Sequence, residues 1–224
     1  MLRERDLKMI NHIQKYGFLT INQAYKIFFT DRRCGYDLAR RRLAKLVEQG
    51  HIKSNMDYLS SSEKIFYLVD KYMQPSKHTI LIMDTYAELV ALCGGVEKED
   101  NNKGVLEFER EQEWKSIKRR SDGYGIFIMG EYLYEIFIEV IYHIGTDRKT
   151  RIEDMSKKYE EIIKYNVSKP LVNETLKRED DIPTNKIILI VSYNPYKNEI
   201  NIDDNLVKIV NVDYSLKGIG NILT

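Results

Sequence analysis

Two acidic residues near the middle of the chain stand where carboxylates can do chemistry: Asp122 in "SDGYGIF" and Glu139 in "FIEVI". Each lies in or beside a run of strand character, and neighbouring strands can bring two such groups together. Paired carboxylates hold hard cations such as Mg²⁺ through oxygen. A cation held that way polarises a phosphoryl oxygen or activates water, which is the chemistry of phosphodiester cleavage. An amine is then needed to orient or activate the water. The candidates are Lys157 and Lys158 in "KKYEEIIKY", beside Tyr159.

Metal-dependent nucleases of the restriction-enzyme kind place the Asp and Glu on adjacent strands, with a lysine two residues after the Glu. This chain has Ile141 at that position, and Ser121 rather than proline before Asp122. Isoleucine neither binds a metal nor polarises water, so a working site would need Lys157 or Lys158 to reach in from a helix. Other roles fit the same carboxylates. Asp122 can be a turn residue before a strand, Glu139 can face solvent or pair with Arg148 or Lys149, and the two can form an inactive metal or ligand site. We therefore expect no catalysis, with Mg²⁺-dependent nicking or cleavage by Asp122, Glu139 and Lys158 as the alternative.

Other chemistries are poorly supplied. His12, His51, His78 and His143 show no HxH or HExxH spacing, and Cys34 and Cys93 form no CxxC pair, so neither a zinc site nor a disulfide framework is expected. No GxxxxGK[ST] loop is present, and no cofactor is implied.

A second constellation is cationic. The stretch "RRCGYDLARRRLAKLVEQGHI" packs five arginines into residues 32–42 and continues as an amphipathic helix that stops at Gly50. Tyr36, Ala39, Leu43, Leu46 and Val47 recur at three- and four-residue steps, which puts Asp37, Arg40, Arg41, Ala44, Lys45 and Glu48 on the opposite side. Cations near a helix amino terminus oppose the macrodipole, so an isolated protein gains nothing from them there. One reading is a merely solvated face, as most charge runs are; the other is that phosphate, or the guanine O6 and N7 acceptors, supplies the reason. Arg32, Arg33, Tyr36, Arg40, Arg41 and Lys45 are the candidate contacts.

The elements around this helix fit that use. Residues 3–16 carry Leu7, Ile10 and Ile13 at three-residue steps, flanked by Met9 and Tyr16, and end before Gly17; Thr20 and Gln23 form a capping-box pattern for a short helix over 21–29. After Gly50, "HIKSNMDYL" and "KIFYLVD" read as a hairpin around "SSSE", with Lys64 near its tip. Three helices and a hairpin give the order of a winged helix-turn-helix, whose third helix enters the major groove. Charge agrees: residues 1–70 hold 13 Lys and Arg against 8 Asp and Glu, and the remainder 22 against 26.

Beyond Pro75, "HTILIMDTYAELVALCGG" reads as a helix and "VEKEDNNKG" as a polar loop. From Val105 the runs "VLEFERE", "GYGIFIMG", "YLYEIFIEVIYHI", "NKIILIVSYN" and "LVKIVNV" read as strands, with a helix over "RIEDMSKKYEEIIKYNVS". The class is α+β, divided into 1–74, a connecting helix and loop over 75–103, and a mixed-sheet α/β domain over 104–224. No run approaches the roughly 20 apolar residues of a membrane span, and "MLRERDLKMI" lacks the apolar core of a signal peptide, so the expected location is cytoplasmic.

On "RERDLKMINHIQKYGFLTINQAYKIFF", "RRRLAKLVEQGHI", "SDGYGIF", "FIEVI" and "KKYEEIIKY", the chain resembles the replication-relaxation proteins of Gram-positive plasmids, phages and conjugative elements, over residues 1 to about 165. The resemblance implies a winged helix followed by a degenerate PD-(D/E)xK nuclease-like domain. It also implies a role in replication, transfer or transcription control of a mobile element. Family members tend to show Pro-Asp and Glu-x-Asp where this chain has Ser121-Asp122 and Glu139-x-Ile141. Partners expected are duplex DNA, a second copy of the chain, and a replication or conjugation protein. The helix over 78–92 and the α/β domain are the candidate dimer interfaces.

Overall fold

The computed structural model describes residues 2–56, 64–70, 74–94, 104–129, 132–141, 148–176, 184–193 and 207–223. The chain divides into two compact units, Met1–Glu99 and Asp100–Thr224.

The first unit contains α1 (Glu4–Tyr16), β1 (Leu19–Thr20), α2 (Ile21–Phe28), α3 (Gly35–Glu48), β2 (Lys53–Met56), β3 (Lys64–Tyr67) and α4 (Lys77–Leu92). Its three strands form one antiparallel sheet in the order β1-β3-β2. Gly17 ends α1 at a φ of 89°, a left-handed conformation that side-chain-bearing residues resist. The capping box forms as the sequence suggests: the Gln23 amide donates to Thr20 Oγ1 at 3.2 Å, and the Thr20 amide donates to Gln23 Oε1 at 3.1 Å.

Two expectations are corrected in this unit. The inward stripe of α1 is Met9, Ile13 and Tyr16, with Asp6 and His12, while Leu7 is 49% exposed. The helix is turned so that Asp6 meets Arg42. The helix read as a connector over 75–103 is an integral part of the first unit. Gln23 Nε2 donates to Asp84 Oδ1 at 2.8 Å and Lys26 pairs with Glu88 at 2.5 Å, docking α4 on α2. Ile82, Met83, Ala87, Leu89 and Val90 of α4 are buried, so its apolar face is already covered and is not a free dimer surface. The "VEKEDNNKG" loop falls outside the described residues up to 103.

The second unit contains β4 (Gly104–Arg110), β5 (Glu113–Trp114), β6 (Arg119–Arg120), β7 (Gly123–Met129), β8 (Tyr132–Ile141), α5 (Arg148–Lys164), α6 (Lys169–Leu176), β9 (Asn185–Ser192), β10 (Val207–Val212) and a closing 3-10 turn (Ile219–Leu223). The main sheet runs β10-β9-β8-β7-β4, with β8, β9 and β10 parallel and β7 and β4 antiparallel. Parallel strands need a crossover, and α5 and α6 lie in the one between β8 and β9. One face of the sheet, including Tyr124, Ile126, Phe137, Ile188 and Ile190, packs with Met155, Tyr159 and Ile162 of α5 and Val172 of α6. The mixed sheet and the α+β class are as expected; α6 and the β5–β6 hairpin are additions. Among the described residues no helix is long and apolar enough to cross a membrane.

Candidate functional site

The carboxylates converge because of sheet register. Gly123 of β7 pairs with Ile138 of β8, which places Asp122 beside Glu139 at the mouth of the ladder. Asp122 Oδ2 accepts from the Val140 amide at 2.8 Å, fixing it against β8. Glu139 Oε1 accepts from Lys158 Nζ at 2.5 Å and from the Tyr159 hydroxyl at 2.6 Å. Lys158 Nζ also donates to the Arg120 carbonyl at 3.1 Å, so one ammonium joins α5, β6 and β8.

The amine that Ile141 cannot supply is therefore supplied by α5. Lys158 reaches Glu139, whereas Lys157 on the same helix is exposed. Arg148 and Lys149 lie among residues whose side chains are not described. The Glu139 and Lys158 side chains are only 12% and 15% exposed, and burial pushes the Glu139 carboxyl above its usual range. Lys158 opposes that rise and the charge of Asp122 adds to it. Burial, with the Glu139 charge second, pushes the Tyr159 hydroxyl well above its own range. Two carboxylates and an amine are the parts a cation-assisted hydrolysis uses, but here the ammonium already serves as counter-ion to Glu139. Among the described residues no group of three or more His, Cys, Asp or Glu side chains is placed to hold a metal ion.

Ser121, where the nuclease pattern has proline, is fully buried and accepts from Trp114 Nε1 at 3.0 Å. Proline could not make that bond. Sequence reasoning passed over Glu135, which is 2% exposed and accepts from the Tyr124 hydroxyl at 3.0 Å and Thr184 Oγ1 at 2.9 Å. It shares a sheet face with Glu139, as four-residue spacing on a strand requires.

The cationic helix sorts its arginines into two kinds. Arg42 turns inward and pairs through Nε and Nη2 with Asp6, whose side chain is 1% exposed. Arg32, Arg33, Arg40, Arg41 and Lys45 are all exposed. Arg40 reaches Asp37 at 3.3 Å, Arg41 Nε donates to the Asp37 carbonyl at 3.3 Å, and Arg32 pairs with Asp31 at 3.1 Å. Such exposed contacts are worth about 0–1 kcal/mol, so a phosphate can displace them. Arg33 and Lys45 have no acidic partner among the described residues. Tyr36, read as part of the inward stripe, is 43% exposed and packs edge-on against Tyr25 at 6.3 Å.

Gly35 explains how close α3 starts to α2. A Cβ there would meet the Phe29 carbonyl at 2.2 Å and the Tyr25 ring at 2.7 Å, so only glycine allows this approach. Lys64 opens β3 and is exposed, while the hairpin tip at 58–63 lies outside the described residues. Comparison of the chain with family models, with curated proteins and with solved structures finds no match.

Proposed function

We propose that the first unit is a winged helix-turn-helix that binds duplex DNA, with α3 as the recognition helix and β2–β3 as the wing. The observation that carries this reading is the sorting of arginines on α3. One is used for folding, through Asp6, and the others are held outward without a buried partner. The order α1-β1-α2-α3-β2-β3 and the sheet order β1-β3-β2 support it, because in that arrangement the third helix is free to enter a major groove. Arg40 and Arg41 are assigned to base edges. Arg32, Arg33, Tyr36, Lys45 and Lys64 are assigned to the flanking backbone.

In this reading the chain works as a homodimer on paired half-sites, in the replication, transfer or transcription control of a mobile element, as the family resemblance implies. The second unit is then a nuclease-like fold without turnover, used for protein contacts. A second reading is favoured by one observation, the reach of Lys158 to Glu139: Mg²⁺-dependent cleavage, with Asp122 and Glu139 on the metal and Lys158 beside the nucleophile. Titration of labelled duplex DNA by fluorescence anisotropy over a range of salt tests the first reading. Saturable binding that weakens steeply with salt supports it, and no binding at 50 mM salt refutes it. Incubation of supercoiled DNA in Mg²⁺ or Mn²⁺ tests the second.

A further inference from the structure

Between β4 and β7 the chain makes a small hairpin, "EWKSIKRR", residues 113–120, that neither reading above uses. Its inner side is anchored. Trp114 is 4% exposed, packs edge-on against Tyr124 at 5.0 Å and donates to Ser121. The Ser121 amide donates to the Gln112 carbonyl at 2.9 Å, and the Ile117 amide closes the turn on the Trp114 carbonyl at 3.2 Å. Lys158 holds the Arg120 carbonyl, and Arg119 pairs with Glu161 at 2.8 Å.

Its outer side is cationic. Arg119 is neutralised by Glu161, and Arg120 lies 3.7 Å from Glu111. Lys115 and Lys118 are exposed and have no acidic partner among the described residues; Glu113 is the only acid within the hairpin itself. Lys118 holds a φ of 53°, left-handed backbone in which glycine or asparagine is at ease and lysine is not. A cation kept at a strained turn position, on a base fixed by a tryptophan and two ion contacts, fits a rigid polyanion better than it fits solvent.

We propose that this hairpin is a second DNA-contact surface, in which Lys115, Lys118 and Arg120 engage backbone phosphates of duplex DNA. Its attachment at Arg120 puts the contacted backbone beside the Asp122, Glu139 and Lys158 cluster. The contact is independent of sequence, since lysines on phosphate carry no base information. It extends the DNA-binding reading of the first unit and rests on that reading for its choice of polyanion.

The test uses the full-length protein carrying Lys115→Ala together with Lys118→Gly. Glycine removes the cation while relieving the left-handed position, so the variant should melt no lower than the parent. Two lost phosphate contacts should flatten the slope of log K against log salt by about 1.8, so the affinity gap to the parent narrows about twelve-fold between 50 and 200 mM salt. The loss should be equal on unrelated duplexes. An unchanged slope in a protein that melts normally would overturn the proposal, as would a loss confined to one sequence. Arg40→Ala with Arg41→Ala, measured alongside, separates the two claims: it changes affinity for a preferred site if the first unit reads DNA, whatever the hairpin does.

Discussion

Arg42→Met should destabilise the first unit while leaving the exposed arginines of α3 in place. Asp6 is drawn into the interior by Arg42 and by the Arg3 amide, which donates to its Oδ2 at 2.6 Å. Removing Arg42 leaves a buried carboxylate with that one bond. Breaking a buried ion pair costs about 3–5 kcal/mol, and since Arg42 is 17% exposed the low end, about 3 kcal/mol, applies. For a unit of this size about 1 kcal/mol moves the melting temperature by roughly 4–8 °C, so a fall on the order of 12 °C or more is expected. The pH dependence follows from the direction of the Asp6 shift. Burial alone would raise its pKa, but Arg42 and the Arg3 amide outweigh burial and hold it below the usual carboxylate range. A depressed acid stabilises the fold above its unfolded pKa and loses that stabilisation as pH falls through the folded value. The deficit of Arg42→Met should therefore be full at pH 7 and narrow in acid, as Asp6 protonates. Thermal melts from pH 7 to pH 3, followed by circular dichroism, measure this. A melting temperature within about 2 °C of the parent at pH 7, or a deficit that widens in acid, would refute the reasoning.

Three further outcomes follow from the same contacts. Lys64→Ala should weaken all duplexes about equally and flatten the salt slope by roughly 0.9, read by anisotropy; a loss on one sequence alone would remove Lys64 from the backbone contacts. Lys158→Met should destabilise the second unit by about 3 kcal/mol at pH 7, because Glu139 is left with Tyr159 and its pKa rises further; the deficit should shrink as Glu139 protonates in acid, as pH-dependent melts would show. Light scattering at tens of micromolar should give a dimer on DNA, and a monomer both free and bound would rule out the paired half-site reading.

The periodic parts of the fold were legible in the sequence because local physics determines them. The Thr20–Gln23 capping box, Gly17, and the β-rich runs of β4, β7 and β8 are short-range signals that form as read. What was hidden depends on long-range pairing. Nothing near Arg42 distinguishes it from Arg41, since its partner Asp6 lies thirty-six residues away. For Glu139 the sequence offers Lys157 and Lys158 as candidates, and only the crossover that brings α5 over β8 selects Lys158. The stripe of α1 was misread because Leu7 and Ile10 mimic an inward face as well as Met9 and Ile13 do. Only the burial of Asp6 decides between them. The α4 helix is too densely apolar for a free linker, but its sequence does not identify Gln23 and Lys26 of α2 as what receives it.

The central claim is that exposed arginines of α3 read duplex DNA, and the affinity of Arg40→Ala/Arg41→Ala for a site selected from random duplexes tests it most directly. Both side chains are exposed and held by no buried partner, so the variant should melt as the parent does. Each base-reading arginine should contribute about 1–3 kcal/mol, so affinity for the selected site should fall by at least about thirty-fold, and preference over unrelated DNA should fall with it. Parent-like affinity and preference in a folded double variant would contradict the account.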